Sequence, residues 1–356
     1  MGFDKGRMNF SVVGLAEKQG EMFESCLLRE SYKDSRPSIG LPVIDVTSGN
    51  SLATPSRKGT PEDFVEEGVT FFCVRCRELK IDRKEYKERM QLRIREEEIK
   101  QGHRIGKKEK KAIQEAVMLA LEGSATVATS GTRCVLAPNR DILLVEAVAE
   151  KALDDAMVSL TSCVAVTPAG SPTKALTPDL LYEAYSGKRI SMYIPVDLGG
   201  MKSSDGVGKD FLTWLFMASE CQGVLPKGVT FAVTGSLGME DCRECKTGAV
   251  NITLQKGEPA SGKEVVACLE QGKKVVAVGG SWDFEGLAMS CTLDEGLHVK
   301  GLKWHDRTIG DLNSRVSNAM LFVEGLKKVF RCFVDSEAHN AELMGEWLKQ
   351  KRTQVG

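Results

Sequence analysis

Gly257-Glu258-Pro259-Ala260-Ser261-Gly262-Lys263 has the Gly-x4-Gly-Lys spacing of a loop that cradles phosphate with backbone N–H groups. A strand-like run precedes it and a helix-like run follows. The next residue is Glu264, where Ser or Thr would coordinate magnesium, and Glu258 and Glu264 add negative charge beside a phosphate. Two readings stand: a P-loop-like nucleotide-dependent enzyme, or an ordinary turn with a helix cap. Two Cys-x-x-Cys pairs, Cys73/Cys76 and Cys242/Cys245, raise the question of zinc, which takes four thiolates tetrahedrally. The first pair lies in a strand pattern, where positions i and i+3 point to opposite faces. The second lies in a loop better shaped for chelation. His103, His298, His305 and His339 show no metal-ligand spacing, and His305-Asp306, which has the residue types of a general-base pair, is a weak signal that reads better as a surface turn. No Gly-x-Ser-x-Gly elbow is present. No catalytic residue and no metal ligand is assigned, and elimination favours a binding protein over an enzyme.

The remaining concentration of chemistry is charge. From Arg75 to Lys111 there are 15 Lys/Arg against 8 Asp/Glu, a local net of +7 in a chain whose net charge is -1. A near-neutral protein that gathers its positive charge in one segment presents it to something anionic. The competing reading is a solvated helical hairpin laced with i, i+4 ion pairs.

These residues need elements to carry them. Thr70 to Cys76 reads as a strand. Ile81 to Gln101 reads as a helix that is polar nearly all round, with Tyr86, Met90, Leu92 and Ile94 as its apolar positions. Such a helix projects into solvent or lies along a partner. Gly102 to Gly106 is a break. Lys107 to Leu121 reads as a second helix with Ile113, Val117 and Leu121 on one face, and its basic first turn opposes the helix dipole. The spacing then predicts a hairpin of strands at 132–137 and 141–146, a helix at 149–160 and a strand at 163–168. Earlier, 8–15 reads as a strand, 17–29 as a helix, and 35–61 as a long loop or a meander of short extended pieces. The second half predicts a helix at 211–217, strands near 229–237, 248–255, 273–280, 284–293 and 297–304, and helices at 265–271, 315–333 and 338–349. This mixture predicts α+β architecture with mixed or antiparallel sheets and a projecting charged helical hairpin at 81–121. A Pro/Ser/Thr-rich stretch near 168–180 divides the chain into an N-terminal region, 1–168, and a C-terminal region, 169–356.

At 356 residues, 42% hydrophobic and 27% charged, the chain has ample material for a core and is not of disordered composition. No run has the length of a membrane helix, and Met1 to Gly6 has no apolar signal core. Eleven scattered cysteines fit a reducing compartment, so the expected location is the cytoplasm.

Three stretches resemble the RdgC family of bacterial recombination-associated DNA-binding proteins. The first is the strand Phe72–Arg77 with the helical pair 81–121 and the hairpin 132–146. The second is Asp210-Phe211-Leu212-Thr213-Trp214-Leu215. The third, and most specific, runs from Leu269 to Val276, through Ser281-Trp282-Asp283, to Leu302-Lys303-Trp304 and Asp306. The resemblance spans about Met8 to Glu337. It implies an α+β homodimer that closes as a two-fold ring around DNA. It also implies binding of double- and single-stranded DNA without sequence preference, restraint of a RecA-type recombinase, nucleoid association, and neither catalysis nor cofactor. Arg93, Arg95, Arg104, Lys107, Lys108, Lys110 and Lys111 become the DNA-binding candidates. Positions that close the ring in the family align with Ser124 and Thr126, where the family carries Arg and Phe, and loosely with Gln255 and Lys256. These four are the dimer-interface candidates. An interaction module whose charged hairpin docks a protein without touching DNA is the other reading of the same segment.

Overall fold

The computed structural model describes residues 6–14, 35–39, 41–49, 60–137, 142–164, 174–175, 177–192, 206–241, 251–254, 263–306 and 309–355, with positions 3, 27, 31 and 33 besides. The structural statements below concern those residues. In chain order the elements are β1 (Met8–Gly14), β2 (Val43–Ser48), β3 (Val65–Glu66), β4 (Val69–Lys80), α1 (Arg83–Gln101), α2 (Lys107–Leu121), β5 (Thr126–Leu136), β6 (Ile142–Val145), α3 (Glu150–Val164), β7 (Lys174–Ala175) and α4 (Pro178–Ser186). They continue as α5 (Val207–Ala218), β8 (Val229–Asp241), β9 (Asn251–Leu254), α6 (Lys263–Glu270), β10 (Lys273–Phe284), β11 (Leu287–Asp294), β12 (Val299–Trp304), α7 (Leu312–Asp335) and α8 (Glu337–Val355).

The strands form one sheet in the order β2-β4-β5-β6-β1-β12-β11-β10-β8-β9, with β3 on β4 and β7 on β1. Every pairing among the described strands is antiparallel. This is the α+β architecture that the interspersed strands and helices predict. β1 is the splice. Met8 and Phe10 pair with β12 on one side, and Ser11 to Gly14 pair with β6 on the other. The expected division near 168 falls outside the described residues.

Two cores follow from the two-residue alternation of the strands. On one face Val13, Val46, Phe72, Val74, Cys134, Leu143 and Val145 are covered by Leu153, Ala156 and Leu160 of α3. The larger core joins β8, β10, β11 and β12 to α5, α7 and α8. α5 is apolar almost all round and buried except at Lys209, and its Phe211 is in ring contact with Trp214 and with Phe330 and Phe333 of α7.

Within 35–61 the strand β2 is one of the short extended pieces that the sequence allows there. Two expectations need correction. The run at Cys163 is not the start of a strand, because α3 stays helical through Val164. Its Leu153-Ala156-Leu160 stripe has a sheet face to cover, and that packing overrides the β-branched run at its end. Second, β5 begins at Thr126, six residues before the expected start, because it pairs with β4 along its whole length. The expected helix at 17–29 lies outside the described residues apart from Leu27.

Cys73 and Cys76 of β4 are separated by the sheet: Cys73 is buried and Cys76 is partly exposed. Burial pushes the Cys73 thiol from an ordinary 9.0 up to about 11, and drives the Cys134 and Cys291 thiols up as well. Cys242 and Cys245 lie outside the described residues. A maleimide at pH 8 should therefore label Cys76, Cys221 and Cys332 well ahead of Cys73, Cys134 and Cys291, with all six reacting in denaturant. Peptide mass spectrometry reads the order, and equal rates in the native protein would contradict this burial. The sign for stability follows. The raised Cys73 pKa contributes stability that is complete below its unfolded value near 9.0 and is lost as pH rises through about 11.

Candidate nucleic-acid interface

β4 and β5 form a long antiparallel pair running from Thr70↔Leu136 to Lys80↔Thr126. The connection between them is the helical hairpin. α1 and α2 thus stand on the end of a β-ribbon and pack chiefly on each other. β2 supports β4 only as far as the Val43↔Arg77 pair. Beyond it, Glu78↔Ala128, Leu79↔Val127 and Lys80↔Thr126 form a two-stranded neck. Neck and hairpin together make an arm, and 19 residues of α1 give it a reach of about 28 Å.

Local sequence explains each end of the arm. Asp82 caps α1, its carboxylate accepting from Lys84 N at 2.7 Å and Glu85 N at 3.0 Å. The N–H groups of Glu85 and Lys84 hold that carboxyl below its ordinary value. Gly102 closes α1 with φ 71°, a left-handed conformation that suits glycine, and its N–H reaches Glu98 O. At the start of α2, Glu109 Oε2 accepts from Gly106 N at 2.8 Å. The arm has a small interior of its own: Ile105, Val117 and Leu121 are buried, whereas no residue of α1 is.

All seven DNA-binding candidates lie on this arm and all are exposed. Arg93 and Arg95 lie along α1. Arg104, Lys107, Lys108, Lys110 and Lys111 gather around the tip. Arg93 meets Glu96 at 3.5 Å and Lys111 meets Glu115 at 4.0 Å. Exposed pairs of this kind hold their partners weakly, at about 0–1 kcal/mol. Arg95, Arg104, Lys107, Lys108 and Lys110 form no ion pair among the described residues. The tip also carries the N-terminus of α2, whose free N–H groups and dipole favour an anion as the lysines do. The basic first turn of α2 is unfavourable within the chain and favourable toward phosphate.

The charge count needs revision at its root. Arg75 and Arg77 are buried, bonded to Asp45 of β2, and are not available to a ligand. From Lys80 to Lys111 there remain 13 Lys/Arg against 7 Asp/Glu, and all 13 are exposed. Arg83, Lys84 and Lys87 belong to this set although the sequence reading omitted them. The same charge count that singled out the segment includes them.

The arm also presents what charge counting does not show. Leu92 is 60% exposed, Ile99 75% and Leu119 70%. A groove of about 550 Å3 runs between the helices, with Arg89, Leu92 and Arg93 on one wall and Ile113, Ala116 and Ala120 on the other. Ser124 and Thr126 are both exposed at the base of the arm, not at its tip. Ser124 Oγ donates to Leu121 O at 3.1 Å and Thr126 Oγ1 to Lys80 O at 3.4 Å. Gln255, Lys256 and the glycines of the Gly257–Lys263 motif lie outside the described residues; Lys263 itself is exposed at the start of α6.

The histidines are scattered. His103 is at the arm tip, His298 Nδ1 lies 2.8 Å from Ser11 Oγ, His305 follows β12 and His339 is in α8. Among the described residues no three His, Cys, Asp or Glu side chains are grouped as a metal ion requires, and no helix is long and apolar enough to cross a membrane. No curated protein matches the chain. Residues 59–181, about a third of the chain, match a family model described as "Putative exonuclease, RdgC". That stretch holds β4, the whole arm, β5, β6 and α3, and the match supports the assignment of this chain to the RdgC family.

Proposed function

We propose that this chain is a sequence-non-specific DNA-binding protein of double and single strands. It acts without catalysis or cofactor, as a nucleoid-associated homodimer that modulates homologous recombination by restraining a RecA-type recombinase. The observation that carries the reading is the arm: a basic helical hairpin, inside the family-matched stretch, whose exposed lysines and α2 N-terminus converge at one tip. Flexible lysines and backbone N–H groups bind phosphates and read no base edges. Binding should therefore depend steeply on salt and little on sequence. Fluorescence anisotropy with a random duplex and a random single strand, across a salt series, tests this. Absence of binding at low salt would refute it.

A second reading, an arm that docks a protein and not DNA, draws on the exposure of Leu92, Ile99 and Leu119. Salt-independent capture of a partner with no affinity for DNA would favour it. The word "exonuclease" in the family description supplies an enzymatic reading, and the Gly257–Lys263 spacing a nucleotide-dependent one. Degradation of an end-labelled duplex with magnesium or manganese would support the first. Loss of nucleotide binding on Lys263→Ala would support the second.

A further inference from the structure

The arm is held at its root by a buried charge cluster. Asp45 stands opposite Arg75, and Val43 opposite Arg77. Arg75 Nε donates to Asp45 Oδ1 at 2.7 Å, and Arg75 Nη2 donates to Oδ2. Arg77 Nη2 reaches the same Oδ2 at 3.2 Å and the Lys33 carbonyl at 2.7 Å. Asp45 and Arg75 are both 0% exposed. Across the sheet, the residue facing Arg75 on β5 is Gly131, which adds no side chain beside the guanidinium.

Burying these charges is not the cheapest way to fill a sheet face, because apolar residues avoid the cost of desolvation. Phe71 and Val135, further along the same face, do fill it that way. The cluster supplies something apolar residues do not. A two-residue slip of one strand past another keeps every side chain on its own face, so the hydrophobic pattern does not forbid it. Here a slip would put Val43 or Thr47 opposite Arg75 and take the carboxylate away from the bidentate fork. The consequence falls on the arm, since the end of β2 decides where the three-pair neck begins.

We propose that Asp45 is a positioning residue. Through Arg75 and Arg77 it pins the register of β2 on β4, and so sets the length of the two-stranded neck and the direction in which the basic arm leaves the sheet. Its effect on DNA binding rests on the function proposed above; its effect on the neck does not.

Hydrogen–deuterium exchange on the full chain tests it, comparing wild type with Asp45→Asn and with the milder Arg77→Lys, which keeps the charge and removes the Nη2 that joins Asp45 Oδ2 to the Lys33 carbonyl. Exchange should quicken about tenfold in peptides covering 43–48, 77–80 and 126–131 for Asp45→Asn, and a few-fold for Arg77→Lys. β10 and α7 should keep wild-type protection. The salt slope of duplex binding should fall in both variants. Unchanged neck exchange in either folded variant would overturn the proposal, as would acceleration spread evenly over the chain, which marks a general stability role. Should Asp45→Asn fail to fold, Arg77→Lys decides. Should the wild type not bind DNA, the exchange data still decide the role of Asp45, and only the DNA reading falls.

Discussion

Changing Lys107, Lys108, Lys110 and Lys111 together to alanine should weaken duplex binding by about a thousandfold at 0.1 M salt and reduce the salt slope by about 3 to 4. The four lysines occupy the first turns of α2 at the arm tip, and all are exposed. Each phosphate neutralised releases counterions, so a lost contact lowers the slope of log K against log salt by about 0.9. The loss is attributable to charge because the fold has no reason to suffer. Alanine is the strongest helix former, and removing cations from a helix N-terminus relieves an unfavourable dipole interaction. Among the described residues only Lys111 of the four has an ion pair to lose, the 4.0 Å contact with Glu115. Thermal stability should be unchanged or slightly higher, and replacement of all four by arginine should keep the slope. A slope that survives the alanine changes would move the DNA path off the tip. Loss of binding with melting of the helix would void the comparison, and circular dichroism on the same sample settles that.

The arm was legible because its signals are local. Asp82 as a cap, the Gly102–Gly106 break and the Ile113-Val117-Leu121 stripe lie within a turn or two of what they control. The ends of α2 accordingly match the sequence reading. What was not legible depends on partners distant in the chain. Arg75 and Arg77 look like two more cations of a basic run until Asp45, some thirty residues upstream, is seen to take both. β2 reads equally as loop or as a short extended piece, because its strand character comes from pairing with β4. The neck depends on both facts, so neither its length nor its direction could be read from sequence. Ser124 and Thr126 follow α2 in sequence, yet only the β4–β5 pairing puts them at the base of the arm. The apolar exposure of Ile99 and Leu119 is a matter of which helix face the partner helix leaves uncovered.

Asp210→Ala should lower the urea midpoint by about 1 M without changing the salt slope of whatever DNA binding the folded protein shows. Asp210 lies in the first turn of α5 and Lys274 on β10, only 1% and 2% exposed. Their charged atoms approach to 2.5 Å. They join the most buried helix to the sheet, beside the Thr213 Oγ1 that accepts from Val275 N at 3.0 Å. Removing one member leaves the other charge in the interior, which costs about 3–5 kcal/mol. Replacing both removes the desolvation cost along with the attraction, so Asp210→Leu with Lys274→Met should recover most of the loss. Lys209, which joins Glu240 at 2.7 Å, and Lys273 are close enough to couple to the pair, so the double variant must be read as a cycle against both singles. A small effect from Asp210→Ala would mean that water reaches the site. The two sets of variants act on different links of the same chain of causes. The lysines should change affinity at constant stability, and Asp210 should change stability at constant slope. A protein in which either set moved both quantities would have its arm and its core coupled more tightly than a three-pair neck allows.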